Sequence, residues 1–163
     1  MNQVEVNKEA KLSPHFSLGE LTRSKSHPEV YNIPSRVHIE NLKRVCVWLE
    51  ALRARYNERY VLVGAGGEEP IIITSGYRSA ELNRKVGGVA TSNHLTGCAV
   101  DIRVAGKEQL IRYACILLDY ADETKQDFDE LLLEHGSNGV IWLHFAVRPP
   151  TQQNRRKISF LQG

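Results

Sequence analysis

The stretch SNHLTGCAVD, Ser92 to Asp101, constrains this chain more than any other. It places His94 and Asp101 seven residues apart with Gly97 between them, and another histidine, His144, follows far downstream in VIWLHFAV. Two imidazoles and a carboxylate form a ligand set that suits zinc, and three protein ligands leave a fourth position open, as in catalytic rather than structural sites. Any fold that uses these residues together must carry His144 back to the Ser92–Asp101 stretch.

The chain has 163 residues, which fits one domain with a hydrophobic core of its own. A net charge of +2 is too small to imply a nucleic-acid partner. The largest basic cluster, Asn154-Arg155-Arg156-Lys157, reads as a solvated tail, with weak attraction to an acidic polymer as the functional alternative. Cys46, Cys98 and Cys115 are too few and too widely spaced for a disulfide framework or a CxxC metal pair. Cys46 and Cys115 are expected on apolar helix faces, and Cys98 in a strand. The opening MNQVEVNKEAKLS has no apolar segment, so no secretory signal is expected and synthesis in the cytoplasm is. No apolar run approaches the roughly 20 residues that span a bilayer. A monomer without a membrane partner is expected.

Residues 1–13 read as a flexible arm, 14–150 as a single domain and 151–163 as a polar, basic tail. FSLGELTR, Phe16 to Arg23, reads as a short helix capped by Ser17 with Glu20 completing a capping box. A long helix follows Pro34, from about Ser35 to Tyr56. Its buried stripe is Leu42, Val45, Cys46, Leu49, Leu52 and Tyr56. Trp48 packs beside that stripe. VGAGGEEP lacks phosphate-loop spacing and reads as a turn. Ile71–Thr74 reads as a buried strand, Ser79–Val86 as a helix, and Cys98–Val104 as a strand that turns Asp101 to the face opposite Val100 and Ile102. Lys107–Thr124 reads as a second long helix, with a solvated acidic end at Asp119, Asp122, Glu123 and Asp127. Phe128–Glu134 and Val140–Val147 form a hairpin about HGSNG. This order predicts an α+β domain, a mainly antiparallel sheet with helices packed on one face. His15, His27 and His38 have no ligand partner at helical or strand spacing and read as surface or loop residues.

These blocks resemble a family. SNHLTGCAVD matches the SxHxxGxAxD motif of the zinc D-alanyl-D-alanine carboxypeptidases and endopeptidases, whose fold is shared with the hedgehog signalling domain. ITSGYRS with Asn83 resembles the segment upstream of that motif, and WLH, Trp142 to His144, resembles the block carrying the last ligand. FSLGELTRS and IENLKRV, Ile39 to Val45, are similar to the N-terminal half of bacterial and phage members. The resemblance spans roughly Phe16 to Val147. It implies hydrolysis of a peptidoglycan peptide, with His94, Asp101 and His144 as zinc ligands. It makes Arg78 the cation for the substrate carbonyl or developing oxyanion. Ser92 becomes a support behind the metal ligands or a substrate contact, Trp142 shapes the pocket beside the metal and contacts substrate, and Tyr77 becomes a substrate contact.

One position departs from the commoner pattern. Where many members carry an acid three residues before the last ligand, this chain has Ile141. Glu134, at the end of LLLE, occupies the place used by hedgehog-like members and is expected as general base. His135, Asp129 and Glu130 are the alternatives. The leading expectation is a zinc peptidase of the bacterial cell wall, a lytic or remodelling enzyme. A phage origin, with release through holin pores or delivery in the virion, would reconcile a wall substrate with the missing secretory signal. Two other readings stand beside it: a zinc-retaining binding or structural module, and a peptidase acting on small dipeptides inside the cell.

Overall fold

The computed structural model describes residues 7–62, 64 and 66–162. Val63 and Ala65 of the VGAGGEEP loop, and residues 1–6 of the expected arm, lie outside the described residues. The elements run β1 (Lys11–Ser13), β2 (Phe16–Ser17), α1 (Arg36–Tyr60), β3 (Ile73–Ser75), α2 (Ala80–Lys85), a 3-10 turn (Asn93–Thr96), β4 (Ala99–Arg103), α3 (Lys107–Thr124), β5 (Glu130–His135), β6 (Ile141–Ala146) and β7 (Lys157–Gln162). The fold is α+β as expected, with α1 and α3 packed together on one face of a five-stranded sheet.

The sheet order is β3-β4-β6-β5-β7, antiparallel except for the parallel β5–β7 pair. Side chains alternate across each strand. Val100 and Ile102, Leu131 and Leu133, and Leu143 and Phe145 turn to the helices and join Leu42, Leu49, Leu52 and Leu117 in the core. Each fully buried side chain of this kind contributes roughly 1.5–3 kcal/mol relative to exposure. Trp48 belongs to this core, its ring 4.9 Å from Tyr120 and 5.1 Å from Phe145. Asp101, His144, Glu130, Glu134 and Trp142 alternate to the opposite face.

Helix α1 begins at a reciprocal cap. Ser35 Oγ accepts from the His38 backbone N–H, and the Ser35 backbone N–H donates to His38 Nδ1. His38 is therefore a capping residue, and His15 is held by Glu50 at 2.7 Å. The acidic end of α3 is paired rather than merely solvated. Arg55 meets Glu123 at 2.6 Å, Arg59 meets Asp119 at 3.6 Å, and Arg156 meets Asp122 at 2.6 Å.

Three expectations are corrected. FSLGELTR forms no helix. Its Ser17–Glu20 bonds do form, with Glu20 N–H donating to Ser17 Oγ and Ser17 N–H to Glu20 Oε1, both 3.3 Å. They close only a turn, because Phe16 and Ser17 are drawn into pairing with β1, which forms within the expected flexible arm. Cys115 is exposed, on the solvent side of α3, whereas Cys46 and Cys98 are buried. The expected tail is partly sheet: Lys157–Gln162 is β7, the parallel neighbour of β5.

What draws that segment in is a buried carboxylate. Asp129, fully buried immediately before β5, accepts from Arg155 Nε at 3.0 Å, Arg155 Nη2 at 2.7 Å and the Arg155 backbone N–H at 3.0 Å. Asn93 and Arg148 complete its surroundings. A buried carboxylate left short of partners is costly. Arg155→Ala should lower unfolding stability by about 1–3 kcal/mol, the lower part of the range reflecting Arg155's half-exposure. Urea denaturation followed by circular dichroism checks this, and an unchanged midpoint would show that Asn93 and Arg148 satisfy Asp129 alone.

Candidate metal centre

The β4–β6 register sets Asp101 directly opposite His144 on the face away from the helices. The third member comes from outside the sheet. His94 lies on the 3-10 turn, whose N-terminus is capped by Ser92 Oγ accepting from the His94 backbone N–H at 3.2 Å. Gly97 ends the turn at φ +75°, and a Cβ there would stand 2.6 Å from the His38 carbonyl oxygen. Only glycine suits both demands, which is why the motif reads HLTG before its strand. The ligand-capable atoms of His94, Asp101 and His144 all lie within 4.8 Å of one another.

Hydrogen bonds fix which ring atoms face inward. His94 Nδ1 is 2.7 Å from the Gly76 carbonyl oxygen, which can only accept, so Nδ1 carries the proton. His94 Nε2 is then a lone pair, buried without a hydrogen-bond partner and 3.4 Å from Asp101 Oδ1. Burial lowers the His94 pKa, which keeps the ring neutral. A lone pair facing a carboxylate oxygen in a buried site is repulsive unless a cation lies between them. His144 is turned the other way about: Nε2 is 3.1 Å from Glu130 Oε1, and Nδ1 is 3.0 Å from Asp101 Oδ1. A tetrahedral ion with bonds of about 2.0–2.1 Å has ligand-to-ligand edges of about 3.3–3.4 Å, close to the two separations from Asp101 Oδ1. Nε2 of His94, Nδ1 of His144 and a carboxylate oxygen of Asp101 therefore fit a zinc ion.

Charge in the cluster is balanced tightly. Burial would raise the Asp101 pKa, but the hydrogen bond and charge of the His144 ring hold it far below the ordinary carboxylate range. Burial would lower the His144 pKa, yet its hydrogen bonds to Asp101 and Glu130 push it up to about 9. Glu130 is itself anchored by Asn93 Nδ2 at 2.6 Å, the same amide that reaches Asp129 at 2.7 Å. Glu130 thus orients His144, a carboxylate–histidine arrangement common behind metal ligands.

Arg78 borders the cluster. Nε donates to Ser75 Oγ at 3.1 Å, Nη1 to Asn83 Oδ1 at 3.0 Å, and Nη2 reaches Asp101 Oδ2 at 3.4 Å. Its backbone N–H donates to the His94 carbonyl at 3.0 Å. Glu134 lies on the site face of β5, paired with Trp142, which is two residues from His144 on the neighbouring strand. Burial, then Asp101 and Glu130 among its neighbours, raises the Glu134 pKa against the opposing pull of His144 and Trp142.

Not every expected residue lies in this group. The Tyr77 ring is buried with the core and stacks on His38 at 4.8 Å. The Ser92 hydroxyl is engaged as a cap. Trp142 does flank the site, its Nε1 buried without a partner. His135 is exposed and alternates away from His144. Asp129 is saturated by Arg155, Arg148 and Asn93. Ile141, three residues from His144 on a regular strand, packs against the helix-side core. A carboxylate at that position of this strand would point away from the metal ligands, whereas Glu134 on the paired strand points with them. Glu130 behind His144 is the role missed in the sequence. Alternation from Glu134 places it on the correct face, but choosing between the two needs the hairpin register.

A buried His–Asp–His cluster on the open face of an α+β sheet, beside an arginine and a glutamate, is the type of centre found in metallopeptidases. Comparison with protein families agrees: residues 14–119 match the family described as Peptidase M15. The match covers more than half of the 163 residues, and the chain belongs to that family of zinc-dependent peptidases. His94 and Asp101 fall inside the matched region, whereas His144, Glu130 and Glu134 lie beyond it and are joined to it by the sheet. Among curated proteins, none matches the chain.

The raised pKa of His144 has a direct consequence, because a ligand histidine must lose its extra proton. Zinc affinity should rise about tenfold per pH unit between about pH 6 and 8, and level off as the pH approaches the metal-free value near 9. Competition with a chromophoric chelator measures this slope, and a flat profile would mean that His144 is already neutral. In the metal-free protein the sign reverses. The protonated His144 stabilises the fold fully below its ordinary value of 6.5, and that contribution is lost as pH rises through about 9. Separately, Glu130→Ala should weaken zinc binding by about 10–100-fold, while Glu130→Gln, which keeps an acceptor, recovers much of the loss. Equal affinity in Glu130→Ala and the parent would remove Glu130 from the centre.

Proposed function

We propose that this domain is a zinc peptidase that hydrolyses an amide bond in bacterial peptidoglycan peptides, as a carboxypeptidase or endopeptidase. The observation that carries the reading is the buried, partnerless His94 Nε2 facing Asp101 and His144, with Arg78 and Glu134 on the same open face. Family membership supports the peptidase chemistry. The wall substrate rests on the resemblance of the SNHLTGCAVD, ITSGYRS and WLH blocks.

Amide hydrolysis needs an activated water, charge stabilisation on the carbonyl oxygen and a proton for the leaving nitrogen. Zinc held by His94, Asp101 and His144 supplies Lewis acidity toward the carbonyl and toward water. Glu134 takes the proton released by the attacking water and delivers it to the leaving amine. Burial raises the proton affinity of its carboxylate, which suits a group that must accept a proton and give it up near neutral pH. Arg78 stabilises the negative charge that develops on the carbonyl oxygen. Its guanidinium is already pinned by Ser75, Asn83 and Asp101, so little reorganisation is needed as that charge forms. Glu130 and Gly76 keep the His144 and His94 rings in their metal-facing tautomers. Trp142 walls the site between β6 and solvent. The domain acts on the wall as a monomer, in a lytic or remodelling role.

Zinc-loaded protein incubated with purified peptidoglycan should release free amines, and mass spectrometry of the muropeptides identifies the bond cut. Glu134→Gln should retain zinc and lose about 10²–10⁴-fold in rate. His94→Ala should lose both zinc and activity. A parent protein that binds zinc tightly but releases no amine would instead define a zinc-containing binding module.

A further inference from the structure

A cavity adjoins the metal centre, and apart from Ser75 and Arg78 its lining residues have no part in the proposed chemistry. It has a volume of about 300 Å3 and lies between the Arg23–Ser26 loop, β3 and α2. Its floor is Ser75 and Arg78, both next to Asp101: Ser75 pairs with Asp101 across the β3–β4 register, and Arg78 reaches Asp101 directly. The cavity and the cluster therefore share Arg78.

The lining has one sign of charge. Arg23, Lys25 and Arg78 contribute cations, and none of the residues lining it is acidic. Arg23 and Lys25 make no ion pair among the described residues, unlike Arg55 and Arg59 of α1, which pair with Glu123 and Asp119 of α3, and Arg112, which pairs with Glu108 within α3. Ser24, Ser26 and Thr74 add hydroxyls, and Leu82 and Val86 add apolar side chains.

The walls are built, not incidental. Asn32 ties them together: its Nδ2 donates to the Thr22 carbonyl at 2.7 Å and to the Tyr77 carbonyl at 2.9 Å, and its Oδ1 accepts from the Ser79 backbone N–H at 2.6 Å. The Tyr77 backbone N–H donates to the Leu21 carbonyl at 2.8 Å, and a Cβ on Gly76 would stand 2.2 Å from the same oxygen. That close approach clamps the chain just before the Arg23–Ser26 loop against the segment that carries Arg78.

We propose that this cavity is a substrate subsite that takes a carboxylate of the peptide, with a small apolar side chain against Leu82 and Val86. The inference rests on the peptidase reading for its substrate, but not for its chemistry. Carboxylates bind best where several charge-bearing or hydroxyl donors converge in a preformed site. Arg78 would then face two ways, toward the reacting carbonyl and toward this pocket, and so set the distance between the carboxylate and the bond that is cut. In a wall peptide such a carboxylate is either the C-terminus or the α-carboxylate of a γ-linked D-glutamate.

Two matched probe pairs separate these sources: N-acetyl-D-alanine against its carboxamide, and D-glutamic acid γ-methylamide against the same molecule with its α-carboxylate amidated. Each is titrated into the zinc-loaded and the metal-free protein by two-dimensional NMR. In at least one pair the acid should bind about tenfold tighter than the amide, shift the backbone signals of Arg23, Lys25 and Thr74, and weaken as salt is added. The shifts should persist without metal, which distinguishes the pocket from a carboxylate bound to zinc. Arg23→Glu combined with Lys25→Glu should bring the acid-to-amide ratio close to one. A ratio near one for both pairs in the parent overturns the proposal, as does a preference that survives charge reversal or leaves the Arg23–Ser26 signals unmoved. Binding is read without turnover, so a protein that hydrolyses nothing would refute the peptidase reading and leave this result standing or falling by itself.

Discussion

The antiparallel register of β4, β6 and β5 is the constraint on which the site depends. It sets Asp101 opposite His144 and His144 opposite Leu132, so Glu130 and Glu134 become diagonal neighbours of the same histidine. One glutamate lies toward each end of β5, and the two are not equivalent. Glu130 reaches His144 Nε2 and is held by Asn93, whereas Glu134 accompanies Trp142 toward Arg78. A slip of one residue in either pairing would send these side chains into the helix-packed core and bring Leu131, Leu133 or Leu143 out in their place. The apolar face therefore enforces the polar one. The core residues need no chemistry of their own to fix the site, only the area they bury.

The ring tautomers depend on a second set of contacts, made by loops rather than strands. Gly76 accepts from His94 Nδ1 while lying too close to Leu21 for any side chain, so the orientation of one ligand ring is tied to the packing of the N-terminal segment. The other ring is tied to the C-terminal segment. Arg155 saturates Asp129, Asp129 shares Asn93 with Glu130, and Glu130 holds His144. Asn93 precedes His94 in the chain, so one amide links both histidines to the same buried carboxylate pair. The two ends of the chain thus converge on one centre through buried hydrogen bonds that are costly to leave unmade.

Much of this was legible in the residues. The periodicity of α1 and α3, the alternation in AVDIR and IWLHFA, and the glycine after HLT each state a local preference that the fold keeps. The misreadings have a common cause. FSLGELTR carries genuine helix-start chemistry at Ser17 and Glu20, but Phe16 and Ser17 are claimed by β1. The basic segment ending in Lys157 looks like a solvated tail until Asp129, distant in sequence, requires its arginine. In each case a long-range partner outweighed a local signal.

What the sequence determined by itself was the chemistry: two histidines and an aspartate in a spacing that suits zinc, and an α+β domain to carry them. These follow from residue types and short-range periodicity, which do not depend on the rest of the chain. Only the tertiary structure decided which nitrogen of each ring faces inward, which glutamate orients and which stands free, that β7 extends the sheet beside β5, and that a cationic pocket shares Arg78 with the centre. Those outcomes depend on strand register and on buried hydrogen bonds between residues far apart in the chain, where a displacement of one residue reverses the face a side chain meets.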